Sequence, residues 1–352
     1  MKWIRANSWV WVVCLLAIAG CFSKPESTGP MTALFVVADA DIWDALEGPL
    51  RATFERVIRT PQVEKVFELV WVAPDKFNEV ATKRNLALVG TLDADGEISR
   101  KVADMLAPQV RSRVEEGSAF VFPKEAPWAR NQILLVLVGT SVEELAKKLT
   151  QNEDYLYALL EKRLLDETEV QIFEQFEQKE LSEEILSKYG WTLRVQHDYF
   201  PNIEREDSQF YMLRRSLPGR ERWLFVHWIE DADPALLDSA WVLNTRDKLG
   251  MKFYKSDKIN SDPRYLKIAQ VTFANRRAIM MEGLWENDQE AAGGPFRNYT
   301  FYDEASGRIY MIDVAVFFPG GRKEPFLRQL DVMAHTFQTA GEVKKLKAGE
   351  GS

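Results

Sequence analysis

Four aspartates stand where apolar segments give way to helical ones: Asp39 and Asp41 after residues 33–38, and Asp231 and Asp233 after residues 223–229. Strand ends are where α/β sheets present groups to ligands, and two carboxylates at a suitable separation would serve glycoside hydrolysis or hold calcium. His227 shares a strand face with Trp223 and Phe225 and would be the helper of such a site, whereas Glu230 falls on the other face. Helix capping explains the same acids without chemistry, because aspartate is favoured where a helix starts. His197, His227 and His335 show no metal-ligand spacing, and no phosphate loop, dinucleotide fingerprint, nucleophile elbow or His-Glu-x-x-His motif occurs. The expectation is therefore no metal, no cofactor and no recognisable enzyme class.

A second stretch has the composition of a binding surface. Trp285, Phe296 and Arg297 are residue types enriched in interfaces, and Gly293 and Gly294 between them permit close backbone approach. Gly293-Gly294-Pro295 reads equally well as a turn between two strands.

The clearest chemistry lies near the start. Lys2 and Arg5 precede an apolar run over residues 9–19, which at 11 residues is too short to span a bilayer. Ile18-Ala19-Gly20-Cys21 resembles the bacterial lipobox, which implies cleavage before Cys21, acylation of that cysteine and a bilayer as its partner. Phe22, in place of Asp, resembles the outer-membrane default of lipoprotein sorting, so the expected location is the periplasmic face of the outer membrane. Cys14 leaves with the leader and Cys21 is acylated, so disulfides and thiolate chemistry are excluded from the body.

These residues need elements to position them. With 46% hydrophobic and 12% aromatic residues the body has ample core, and loss of Lys2 and Arg5 takes the net charge from −8 to −10, which argues against nucleic acid. The expected layout is a leader over 1–20, a flexible Ser/Pro/Gly tether over 21–31, an α/β-type half over 32–190, an antiparallel half over 191–341 and a disordered tail over 342–352. In the first half, apolar runs alternate with helical spacing, including a helix from Asp41 through Ile58, and a long charge-laced helical stretch follows from Ser141 to Lys188. Beyond Gly190 strands dominate. The fold class is α+β: a helix-covered mixed sheet, then a largely antiparallel sheet with packed helices.

Thr60-Pro61-Gln62 with Phe67, Lys83-Arg84-Asn85, Ala107-Pro108-Gln109, Gly283-Leu284-Trp285, Gly293-Gly294-Pro295-Phe296, Ile309-Tyr310 and Gly321-Arg322-Lys323 follow one another along the chain. In this order they resemble the bacterial lipoprotein family of the domain of unknown function 4837 over nearly all the mature chain. Arg322-Lys323 reverses that family's usual order. The C-terminal half is also similar to the PsbP and Mog1 sandwich. The resemblance implies an envelope lipoprotein and carries over no catalytic residues. Two functions remain: a binding or structural lipoprotein with an envelope protein or glycan as partner, or an envelope hydrolase using the strand-end acids.

Overall fold

The computed structural model describes residues 24–349 except 255 and 288, so the expected leader over 1–20 and Cys21 lie outside the described residues. The first apolar run forms β1 (Ala33–Ala38), followed by α1 (Ala40–Phe54), which buries Ile42, Trp43, Leu46 and Leu50 at helical spacing. The expected continuation through Val57 and Ile58 is not made. These β-branched residues instead open a hairpin of β2 (Val57–Arg59) and β3 (Val63–Lys65). There follow β4 (Glu68–Val72), α2 (Phe77–Val80), β5 (Asn85–Thr91), α3 (Glu97–Asp104), α4 (Pro108–Glu115), β6 (Val121–Glu125), β7 (Ile133–Gly139), α5 (Val142–Gln151) and α6 (Glu153–Phe173).

The sheet order is β4-β1-β5-β7-β6, parallel except for β6. Alternation divides each central strand between two cores. Leu34, Val36, Ala87, Val89, Leu135 and Leu137 pack with α1, α5 and α6, whereas Val37, Leu86, Leu88, Leu134 and Val136 pack with α3 and α4. Burial on both faces is why these strands read as unbroken apolar runs. Pro123 lies within β6, an edge strand that tolerates the missing N–H.

The second half contains α7 (Lys179–Tyr189), β8 (Trp191–Thr192), β9 (Phe200–Arg205), β10 (Phe210–Leu217), β11 (Arg220–Ile229), α8 (Ser239–Phe253), β12 (Asp257–Ile259), β13 (Lys267–Phe273), β14 (Arg276–Asn287), β15 (Ala292–Asp303), β16 (Arg308–Phe317), α9 (Glu324–His335), β17 (Gln338–Thr339) and α10 (Ala340–Gly349). Its antiparallel sheet has the order β12-β14-β15-β16-β11-β10-β9, with β13 also on β14. One face carries α7 and α9 over Leu224, Val226, Tyr299 and Ile312, and the other carries α8 over Phe210, Phe225, Phe296 and Met311. The molecule is therefore α+β, with the mixed and antiparallel sheets expected from sequence.

Three boundaries shift. Ile185 and Tyr189 of α7 join Ile172 and Phe173 in the core of the antiparallel half, so that half begins before residue 190. Part of the expected flexible tether is pinned: Ser27 N–H donates to the Arg130 carbonyl at 3.0 Å, Thr28 N–H to that of Thr82 at 3.0 Å, and Arg84 N–H to that of Thr28 at 2.9 Å. Residues 342–349, expected to be disordered, are helical, because the Glu342 carboxylate accepts the Thr339 N–H at 2.8 Å and pairs with Arg276.

Candidate functional site

The strand-end acids do not assemble. Asp39 accepts the backbone N–H groups of Ile98 and Ser99, each at 3.0 Å, and so caps α3 from the end of β1. Gly96 is required beside it, since a Cβ there would overlap the Asp39 carboxylate. The mouth between β1 and β5, where a doubly wound sheet takes its ligand, is thus closed by the protein's own carboxylate. Asp41 is exposed in the first turn of α1. Asp231 is exposed in a left-handed turn (φ +46°), and Asp233 accepts the Ala235 N–H at 2.9 Å. His227 donates from Nδ1 to the Gln209 carbonyl at 2.9 Å, and burial holds its pKa below the usual value. These acids cap and turn, so the hydrolase reading loses the cluster it needs. Among the described residues no His, Cys, Asp and Glu group could hold a metal ion.

The 285–297 stretch divides between the two faces of the sheet. Gly293 and Gly294 lie within β15, paired with Glu286 and Trp285, so they make no turn. A Cβ on Gly294 would overlap the Val316 carbonyl of the next strand, which explains glycine there. Phe296 is fully buried on the α8 face. Arg297 points to the α9 face, where its Nε meets Glu282 at 2.8 Å and its Nη1 meets Asp331 at 2.7 Å. Tyr299 donates to the other Asp331 oxygen at 2.7 Å, so the arginine locks α9 to the sheet.

Trp285 leads to a different site. On the α8 face, Trp223 of β11 lies opposite Ala315 and Trp285 of β14 lies opposite Gly294. Those small partners leave room for the two indoles to meet edge to face across the intervening strands, with centroids 5.2 Å apart. Phe253 and Tyr254 at the end of α8 and Phe317 of β16 complete an aromatic lining around a cavity of about 280 Å³. Asn202, Arg214, Glu221, Asp257 and Asn287 supply its polar groups. Arg214 pairs with Glu221, and Asp257 accepts from the Asn287 amide at 2.6 Å. Burial raises the pKa of Asp257 and that of the Tyr254 hydroxyl.

Behind the cavity lies a buried ion pair. Arg246 of α8 is 2% exposed and meets Asp313 of β16, 0% exposed, at 3.4 Å, while Asn298 donates to the same carboxylate at 3.1 Å. Buried polar atoms concentrate here: Trp223 Nε1, Trp285 Nε1, Tyr254 OH, Arg214 Nε, Arg246 Nη1 and Asp313 Oδ1 have no hydrogen-bond partner among the described residues. Such orphans are uncommon in folded proteins, and five of these six can donate. The sequence signal for this site was the alternation of Trp223 and Phe225, which marks a face but not what covers it.

Residues 178–336 match the family described as Domain of unknown function (DUF4837), and residues 27–174 match a separate one, Domain of unknown function (DUF8532). The C-terminal half is a DUF4837 domain. Its match contains the aromatic cavity and Arg297, while the Thr60-Pro61-Gln62, Lys83-Arg84-Asn85 and Ala107-Pro108-Gln109 segments fall under the second family. The meeting of the two matches between 174 and 178 coincides with the connection before α7. Among solved structures, LpqN, involved in cell envelope biogenesis of Mycobacterium tuberculosis, is 11% identical, with 42% of this chain and 82% of that one covered at a TM-score of 0.26. The human StarD13 lipid transfer and protein localization domain is 11% identical, with 46% and 95% covered at a TM-score of 0.16. Both superpositions are too loose to define a shared fold. No curated protein matches the sequence.

Proposed function

We propose that this chain is a lipid-anchored binding protein of the cell envelope, acylated at Cys21, on the periplasmic face of the outer membrane, with its ligand seat in the DUF4837 cavity. The observation that carries the binding reading is the aromatic lining of Trp223, Phe253, Tyr254, Trp285 and Phe317 with Asn202, Asp257 and Asn287 among it. At about 280 Å³ the cavity is just below the ~300–1,000 Å³ typical of small-molecule sites, with room for one ring. A sugar ring of an envelope glycan suits it. Its C–H face packs on indole and phenol faces, and its hydroxyls meet Asn202, Asp257 and Asn287.

Titration of intrinsic tryptophan emission with an N-acetylglucosamine disaccharide tests the seat. Saturable change in the parent and its loss in folded Asn202→Ala and Trp223→Ala variants are expected. Equal binding by parent and variants excludes the cavity, and no response to the disaccharide removes this glycan class. Metabolic palmitate labelling tests the anchor, and equal labelling of the parent and Cys21→Ser would refute acylation there.

A further inference from the structure

We infer that the N-terminal half lies directly on the bilayer, standing on the edge from which its parallel strands start. The inference rests on the acylation of Cys21. Pinning of residues 25–28 is the observation that carries it. Arg130 N–H donates to the Pro25 carbonyl at 2.8 Å, and the bonds of Ser27 and Thr28 to Arg130, Thr82 and Arg84 continue the contact. Thr82 and Arg84 precede β5, and Arg130 precedes β7, so the segment lies across the amino-terminal edge of the sheet. Lys24 is held as well, through its Nζ on the Ala126 carbonyl.

Only three residue steps separate Cys21 from Lys24. Fully extended they reach about 10 Å, so the acyl chains cannot enter a bilayer unless this edge is close to the headgroups. The edge carries charges of both signs: Lys24, Lys83, Arg84, Lys124 and Arg130 against Glu26, Glu68, Glu125 and Glu167, with Arg130 paired to Glu26 and Arg84 to Glu167. This leaves a basic excess of one that zwitterionic and anionic headgroups both tolerate. β5 has seven residues, about 23 Å at the usual rise, so the opposite end, with Asp39 and the exposed turn at Asp95, is held away from the membrane.

Acylation leaves the mature protein with no other thiol, so single cysteines can be placed at will. Lys124→Cys and Asp95→Cys variants of the full acylated chain, each labelled with an environment-sensitive fluorophore, are reconstituted in phosphatidylcholine and phosphatidylglycerol vesicles carrying a headgroup nitroxide. Quenching several-fold stronger at position 124 than at 95 is expected, and a 20-residue Gly/Ser insertion between Ser23 and Lys24 should abolish the difference. Equal quenching in vesicle-bound protein whose Cys21 acylation is verified by peptide mass overturns the orientation alone. Absence of acylation in the same peptide overturns the anchor and the orientation together.

Discussion

The carboxylate of Glu64, on the β3 strand of the N-terminal hairpin, accepts the backbone N–H of Lys323 at the start of α9, with its two oxygens at 3.0 and 2.9 Å. Glu324 N–H donates to it as well, at 2.9 Å. One half of the molecule thus caps a helix of the other, and Arg322 adds a bond of 2.7 Å to the Lys65 carbonyl. Arg322-Lys323, reversed relative to the family's usual order, therefore sits at the joint between the halves. Glu64→Ala leaves two buried donors unmet and should cost about 1–3 kcal/mol. Urea unfolding measures this, and faster proteolysis in the 174–178 connection should accompany it. Unchanged stability and cleavage would show that the halves dock without this cap.

Asp39 gives the corresponding prediction within the first half. Asp39→Ala removes the α3 cap and should destabilise by about 1–2 kcal/mol, while leaving disaccharide binding by the second half intact. Loss of binding in a folded Asp39→Ala variant would return the strand-end acids to the functional site.

Two glycines should respond differently to alanine. At Gly294 the added methyl meets the Val316 carbonyl, forcing β15 and β16 apart at a cost of about 1–3 kcal/mol or more. At Gly48, inside α1, no other part of the fold lies within 4 Å, but Pro49 follows. The clash of its ring with a Cβ on residue 48 offsets the gain of about 0.5–1 kcal/mol that alanine brings to a helix, so this change should be near neutral. Thermal unfolding of both variants reads the contrast.

Asp257 carries a pH signature. Its folded pKa is raised by burial above the ordinary 3.8, so between those values the native state holds more protons than the unfolded chain and stability falls as pH rises. Asp257→Asn lacks this proton. The stability difference should therefore move in the variant's favour as pH climbs from about 4, then level off above the raised pKa. Urea titrations at several pH values test the sign, and a difference independent of pH would contradict it.

The sequence alone determined the two halves' characters, because burial on both faces writes apolar runs and burial on one face writes alternation. The lipobox-like order Ile18-Ala19-Gly20-Cys21, on which the proposed anchor rests, is also legible there, since it depends only on local residue order. Tertiary structure decided the rest. Neighbouring residues on a strand point to opposite faces, so Phe296 and Arg297, which read as one surface, serve separate cores. Asp39 and Ser99 are brought together only by strand order, which turned a catalytic candidate into a helix cap. Trp223 and Trp285 meet because Ala315 and Gly294 lie opposite them across the sheet. Register between distant strands sets that coincidence, and no local pattern in the chain encodes it.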